Sequence, residues 1–473
     1  MVNFFGGREE RLSPVNPPLT DTEFLEREIV SWKAGRRRNE QIKGCLYFRN
    51  CHDILHRQRT VIGRDGQTER VDNLPNNRIV LNIYGKLVNQ KADYLLGKPF
   101  LVQCENEALK EELKEIFGRK FGAVLKNAGK GALNCGISWL YPQIAEKGLK
   151  FRLFQGHEIL PFWKDSEHTE LDMAVRVYKV CEYRGKTPVT VEKAEVFTKR
   201  GIRRYYLDKG RLVPQGSRPV PYINMPCEGE GKRFFNWREI PLIPLKYNEE
   251  EMPLLNRVKS LQDSLNDMLS DFKNNMQEDP RNTILVLKNY DGTDLGEFRR
   301  NLAQYGVVKV RCEGDAQGGV ETLSVDVNGE NYKSMIEMLK KAIVESGMGL
   351  DLSGVSAGSW GNSNRMLIKS MYTDLDLDAD NMEVQIQETF QRLMPFVYAY
   401  LYVTGRGDFF GEQVKIIFNR DMLVNESEVI DDCIKSMSIL SRETAVEQHP
   451  WVTDAEKEIE RVKKERSDNN GND

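Results

Sequence analysis

The chain has 473 residues, of which 29% are charged and 40% hydrophobic, with a formal net charge of -3. That length exceeds one ordinary hydrophobic core, so two or more domains are expected. The missing basic excess argues against a tight binder of nucleic acid, because such affinity comes from neutralising phosphates. No window approaches the roughly eighteen apolar residues of a membrane span. Residues 1–11 lack the apolar core of a signal peptide, so synthesis in the cytoplasm is expected. The eight cysteines, Cys45, Cys51, Cys104, Cys135, Cys181, Cys227, Cys312 and Cys433, are scattered, which predicts reduced thiols rather than a disulfide framework.

Residues 1–20 are rich in Pro and Gly and read as irregular. The span 20–43 reads as one helix, capped by Thr20 or Asp21, with Phe24, Leu25, Ile29 and Trp32 as its stripe. A second helix is expected over 78–96. There Ile79, Ile83, Leu87, Lys91, Tyr94 and Leu95 recur at helical spacing before Gly97-Lys98-Pro99 ends it. Two more are expected over 105–117 and 119–134. From Gly136 to Pro244 the period changes to two. The runs 138–144, 150–154, 173–183, 190–198 and 203–207 are rich in Val, Tyr, Ile and Phe, and predict an antiparallel β-region.

Helical periodicity returns over 249–278, with Leu255, Val258, Leu261, Leu265, Met268, Phe272 and Met276 as its stripe. A small α/β insert follows. It has a strand from Ile284 into an Asp291-Gly292 turn, a short helix, a strand at 307–310, a Gly318-Gly319 turn and a strand to Leu323. A partner helix over 329–345 carries Tyr332, Met335, Ile336, Leu339, Ala342 and Ile343. The span 347–362 is a loop of small residues, Gly354, Ser356, Gly358, Ser359 and Gly361 among them, with Met348, Leu352 and Trp360 as larger ones. A very long helix then runs to about Thr404, capped by Asn362 or Ser363 and striped by Leu367, Met371, Leu375, Ala379, Met382, Ile386, Phe390, Leu393, Val397 and Leu401. Pro395 should kink it. A strand at 414–418 and helices at 426–440 and 453–466 finish the fold, and the tail 468–473 reads as disordered. The class is α+β.

Three groups of residues resemble chemical motifs. Gly354-Val355-Ser356-Ala357-Gly358 matches the nucleophile elbow of serine hydrolases, but that elbow needs a preceding strand, and a helix precedes it here. Cys45, Cys51, His52 and His56 lie close in sequence. Their spacing is not a usual zinc pattern, so an ordinary half-buried cluster and no metal are expected. Asp374, Asp376, Asp378 and Asp380 alternate like the start of a calcium loop without its glycine, and are expected as a solvated acidic face. No phosphate-binding loop of the G-x-x-x-x-G-K-[ST] kind occurs anywhere, which excludes a P-loop ATPase. No cofactor is expected.

Four segments carry a family resemblance. They are Asn76-Asn77-Arg78-Ile79 with Tyr94-Leu95-Leu96-Gly97-Lys98-Pro99, then Val286 to Gly292, then Gly318-Gly319-Val320-Glu321-Thr322-Leu323, and last Thr404-Gly405-Arg406-Gly407-Asp408-Phe409. In this order and spacing the chain resembles the portal proteins of long-tailed double-stranded DNA bacteriophages. The resemblance implies a phage portal fold: a wing (1–248), two stem helices (249–279 and 326–346) around a clip (280–325), a tunnel loop (347–362), a long wing helix (363–409), and a crown with a disordered tail (410–473). It implies a homo-oligomeric ring, twelvefold in the virion, at one capsid vertex, made in the host cytoplasm and not an enzyme. Double-stranded DNA would pass through it during packaging and ejection. The terminase large subunit would dock on the clip at Lys288, Asn289, Tyr290, Asp291 and Gly292, and head-tail adaptor proteins would replace it later. Major capsid and scaffolding proteins would be further partners. No membrane is involved. The tunnel loop would present Gly354, Ser356, Gly358, Ser359 and Trp360, with Trp360 as its anchor. Lys333, Lys340 and Lys341, opposite the apolar stripe of their helix, are candidates for the channel wall. The mildly acidic balance suits a conduit that must not hold what it passes. The alternatives are a serine hydrolase using Ser356, or another oligomeric adaptor protein of the virion.

Overall fold

The computed structural model describes residues 21–62, 66–72, 74–145, 148–226, 232–278, 284–288, 319–323, 329–351, 365–420, 426–447, 449, 451–452 and 455–469. The chain forms two compact units. One comprises Met1–Asn89 and Asn127–Gly347, the other Gln90–Lys126 and Met348–Asp473.

In the first unit the expected N-terminal helix is two, α1 (Asp21–Ala34) and α2 (Arg36–Phe48). The break is Gly35, which is extended (φ -64°, ψ 143°) and donates its N–H to Trp32 O at 3.0 Å. Apolar spacing carries across this joint, so periodicity alone does not reveal it.

The β-region predicted by alternation is a five-stranded antiparallel meander and a three-stranded sheet. The meander runs through Ile159–Trp163, Leu171–Arg184, Thr187–Thr198, Gly201–Asp208 and Arg211–Pro214. Its last hairpin turns on Lys209-Gly210, both at positive φ (47° and 87°), the backbone that a two-residue loop needs to match strand twist. Leu25 and Ile29 of α1 are buried on this sheet against Val175, Val177, Ala194, Val196, Tyr205, Leu207 and Leu212. The smaller sheet sets Ile137–Ala145 between Gly148–Gln155 and Ile243–Lys246.

The helix expected over 78–96 begins only at Ile83 (α3, Ile83–Leu96). Residues 77–82 are an extended strap instead, and the reason lies in a helix far along the chain. After α4 (Glu107–Ile116) and α5 (Arg119–Cys135), α6 (Leu255–Glu278) runs beside the strap. Polar side chains at four-residue spacing on α6 serve the strap's backbone. Gln262 Oε1 accepts from Tyr84 N at 3.0 Å, and its Nε2 donates to Leu81 O at 2.8 Å. Asn266 Oδ1 accepts from Leu81 N at 3.0 Å. Ser270 Oγ accepts from Ile79 N at 2.9 Å, and Asn274 Oδ1 from Asn77 N at 2.8 Å. These four side chains are buried. They give the N–H groups of Asn77, Ile79 and Leu81 partners outside the strap, which offsets the loss of a helical turn there.

The second unit is built on a helix of 39 residues, α8 (Arg365–Val403), which runs through Pro395. From Leu375 onward every residue of its predicted stripe is buried. Phe390 sits in a knot of rings with Phe100, Phe117 and Phe121 at centroid distances of 5.5–5.7 Å. Val414–Ile417 pairs antiparallel with Leu101–Cys104, a strand that the sequence pattern missed. In the C-terminal region the helix expected over 426–440 ends at Ser436 (Glu426–Ser436), a short helix not expected from the sequence follows at Arg442–Glu447, and Ala455–Asn469 comes last. That last helix includes two residues expected in the disordered tail.

Candidate functional site: a helix pair, a pinned loop base and an acidic run

The two long helices that flank the insert lie side by side in the first unit. The second of them is α7 (Gly329–Ser346). Phe272 of α6 stacks on Tyr332 of α7 with centroids 4.9 Å apart, and Asn275 Nδ2 donates to Tyr332 Oη at 2.8 Å. Leu339, Ile343 and Val344 are the buried residues of α7. The predicted stripes hold only in part. Leu255, Val258 and Leu265 are buried, but Leu261, Met268 and Phe272 are half-buried and Met276 is exposed, while the polar ladder takes the buried face. On α7, Met335 and Met338 are exposed. An apolar margin therefore runs along the pair uncovered within one chain.

Between these helices the strands Ile284–Lys288 and Gly319–Leu323 pair antiparallel, with Lys288 opposite Gly319. Asn289, Tyr290, Asp291, Gly292 and the expected strand at 307–310 lie outside the described residues. Lys333, Lys340 and Lys341 are all exposed on α7, and Lys341 Nζ is 3.7 Å from Glu345. Glu337 is exposed one turn from both Lys333 and Lys340, so this face carries both signs.

In the second unit, the first residues of the glycine-rich loop are fastened by two neighbours on α3. Gln90 Nε2 donates to Leu350 O at 3.1 Å, and Gln90 Oε1 accepts from Leu350 N at 3.0 Å. Lys91 Nζ donates to Met348 O at 2.9 Å and to Asp378 of α8 at 2.8 Å. Met348 is held at φ 51°, a left-handed conformation that costs a non-glycine residue energy. Lys91 and Asp378 are 3% and 5% exposed, so this is a dry ion pair. Gly354, Ser356, Gly358, Ser359 and Trp360 lie outside the described residues, as does the whole nucleophile-elbow match.

The acidic run on α8 is only in part the solvated face expected of it. Asp378 is paired with Lys91, and Asp376 accepts from Tyr94 Oη and lies 3.4 Å from Arg420. Arg420 also pairs with Asp380 and, at 2.7 Å, with Glu383. Burial and the Asp376 hydrogen bond push the Tyr94 hydroxyl well above its ordinary pKa. Two cations far away in sequence thus draw Asp376 and Asp378 inward, while Asp374 and Asp380 keep the predicted exposure, Asp380 with Arg420 as its partner.

The cysteine–histidine cluster is also regrouped. His52 is fully buried, with Nε2 3.1 Å from Tyr47 O and Nδ1 3.0 Å from Asn266 Nδ2. This pairing selects the neutral tautomer with its proton on Nε2, and burial lowers the His52 pKa. Cys51 is exposed. Cys45 turns instead to Cys135 and His157, with sulfurs 3.3 Å apart and His157 Nδ1 3.8 Å from each. The Cys135 hydrogen bond holds the Cys45 thiol well below its usual pKa, and the same bond pushes Cys135 up.

A family model described as "Phage portal protein, SPP1 Gp6-like" matches residues 31–472. The chain belongs to that family. The portal protein of Bacillus phage SPP1 is 30% identical over 434 residues, covering 90% of this chain and 83% of the relative. The portal protein of Clostridium phage phiCD119 is 28% identical over 444 residues, covering 91% and 93%. The family is structural rather than enzymatic, and its members serve as the channel for DNA packaging at the capsid's portal vertex. The α+β architecture agrees with membership. No helix among the described residues is long and apolar enough to cross a membrane.

Sequence reasoning missed Gln90, Lys91, Arg420 and the α6 ladder. One signal was present for Lys91, a cation set among the apolar residues of the predicted α3 stripe. The ladder residues left a trace too, as Gln262, Asn266, Ser270 and Asn274 recur every four residues on one side of α6.

Proposed function

We propose that this portal-family chain assembles into a closed ring, twelve protomers in the virion, whose bore carries double-stranded DNA inward during packaging and outward at ejection. In this reading 1–248 is the wing, 249–279 and 326–346 are the stem, 280–325 is the clip, 347–362 is the tunnel loop, 363–409 is the long wing helix and 410–473 is the crown. The clip, with Lys288, Asn289, Tyr290, Asp291 and Gly292, takes the terminase large subunit and later the head-tail adaptors. Major capsid and scaffolding proteins meet the ring's periphery. Assembly takes place in the host cytoplasm, and the chain performs no catalysis of its own.

The observation that carries this reading is the family match over nearly the whole chain. The paired helices support it, because Met276, Met335 and Met338 are 59%, 38% and 57% exposed, an apolar margin suited to a neighbouring protomer. The mixed charge of the α7 face supports a wall that guides phosphate without gripping it, through Lys333, Lys340 and Lys341 repeated around the ring. The pinned base at 348–350 supports a loop whose movement is confined to the small residues beyond it.

Negative-stain electron microscopy of the purified protein is expected to show rings with an axial hole. A 54.5 kDa species alone at every concentration in light scattering would count against assembly and favour the hydrolase reading with Ser356. Replacing Gly354 and Gly358 together by Pro is expected to leave rings intact and stop DNA packaging in vitro. Normal packaging by that variant would remove the loop from the mechanism.

A further inference from the structure

We propose that Cys45, Cys135 and His157 form a binding site for a soft tetrahedral transition-metal ion, zinc in the first instance, with the fourth position left to water. Neither the portal family nor the sequence pattern leads to this site. The ligands come from α2, from the last residue of α5 and from the short 3₁₀ turn Gly156–Glu158, with 90 and 112 residues separating Cys45 from its partners.

The distances are those of a coordination triangle. Two sulfurs on one tetrahedral zinc lie about 3.8 Å apart, and a sulfur and a nitrogen about 3.6 Å apart, given bonds of roughly 2.3 and 2.0–2.1 Å. The measured separations are 3.3 Å for the sulfurs and 3.8 Å for each sulfur to His157 Nδ1. A triangle with those sides has its centre about 2.1 Å from every corner, the length of a zinc–ligand bond. All three ligand atoms can therefore reach one ion with little movement.

The backbone around the cluster is built for this approach. A Cβ on Gly44, beside Cys45, would stand 1.9 Å from Asn134 O, beside Cys135. A Cβ on Gly156, beside His157, would stand 2.4 Å from Ile137 O and 2.9 Å from Cys135 Cβ. Only glycine fits at either place, so each ligand is flanked by a residue that lets its segment come close. Arg38 Nε donates to His157 O at 3.1 Å and steadies the turn from α2. Cys135 is buried, while Cys45 and His157 are half-buried, which leaves an approach for an ion and its water.

The donor set fixes the class of ion. Two thiols and an imidazole suit zinc and its soft neighbours, and the group contains no carboxylate of the kind that calcium or magnesium requires. The competing chemistry is a Cys45–Cys135 disulfide, which would close the sulfurs to about 2.05 Å as two electrons and two protons pass to an external oxidant. That reaction gives no role to an imidazole placed equally far from both sulfurs. An ion does, and it would tie α2 to the end of α5 and the sheet beside it.

The test uses the full-length protein, purified without chelator and passed through gel filtration, with metal content measured by mass spectrometry. About one zinc per chain is expected. Titrating metal-stripped protein with Co2+ should give the intense visible bands of tetrahedral cobalt and a sulfur-to-cobalt charge-transfer band. Cys45→Ser and His157→Gln should each lose the bound zinc and weaken or abolish that band, while Cys51→Ser keeps both. These positions are half-buried, so the test stands even if Cys135→Ser fails to fold, and circular dichroism checks each variant. Three results would each overturn the proposal. The first is wild-type protein that holds no zinc and gives no charge-transfer band with Co2+. The second is zinc retained unchanged in both variants. The third is a Cys45–Cys135 disulfide found by mass in freshly isolated, unstripped protein.

Discussion

The two units solve the same problem, a buried polar contact to a stretch of irregular backbone, in opposite ways. In the first, the strap 77–82 is held by four neutral side chains of α6, each making one or two hydrogen bonds. In the second, residues 348–350 are held by the Gln90 amide and by one ion pair, Lys91–Asp378, that is almost wholly out of water. The ladder spreads its interaction over several rungs, so losing one leaves the others in place. The pin concentrates it in two charges, and neither can be removed without stranding the other.

The comparison is broken most severely at the pin. Lys91→Met or Asp378→Leu alone should lower unfolding stability by about 3–5 kcal/mol, because each leaves an uncompensated buried charge. The double variant should recover most of that loss in urea unfolding curves, since a well-filled apolar pair replaces a desolvated one. A double variant as unstable as either single would show that the Met348 carbonyl contact, rather than the charge pairing, is what Lys91 contributes.

Single rungs should matter less. Asn266→Ala strands Leu81 N–H and one side of His52, with an expected cost of about 1–3 kcal/mol. Ser270→Ala strands Ile79 N–H alone and should fall at the lower end of that range. If Ser270→Ala equals the pin variants in the same unfolding assay, the rungs are acting as one cooperative unit rather than separately.

The smallest effect is in pH. His52 is neutral in the fold, with burial lowering its pKa and with Asp53, Asp263 and the Tyr47 carbonyl around it. The unfolded chain takes up a proton near the ordinary pKa of about 6.5, while the folded chain resists it. This contribution to stability is therefore complete above that value and is lost as pH falls through the lowered folded pKa. Thermal midpoints should decline more between pH 7 and pH 5 in the wild type than in His52→Gln. Equal declines would place the acid sensitivity elsewhere.

The same contrast explains what could be read in advance. The β-meander and the long helix α8 were legible because they bury apolar residues at the period of their own backbone. Leu375 to Leu401 kept that pattern without exception. The strap was not legible, because Ile79 lies at helical spacing from Ile83 while the deciding partners are polar residues almost two hundred positions on. The buried face of α6 failed for the same reason, since amides that serve another segment's backbone look like surface in a hydrophobic pattern. The acidic run of α8 was misread because Lys91 and Arg420 are distant in sequence. The cysteines were grouped by nearness along the chain, whereas folding grouped Cys45 with residues far from it. The resemblance motifs carried more than any periodicity, and Asn76-Asn77-Arg78-Ile79 proves to be the start of the strap itself.

The ladder also makes the two sides of one contact unequal in what substitutions they accept. Gln262, Asn266, Ser270 and Asn274 act through their side chains, so almost any replacement there removes a rung. Ile79 and Leu81 bond to α6 through their main-chain N–H groups, which would survive a change to nearly any other amino acid. Proline is the exception, since it has no N–H to give. Across related portal proteins proline should accordingly be avoided at these two places, and the four polar partners on the helix should hold still.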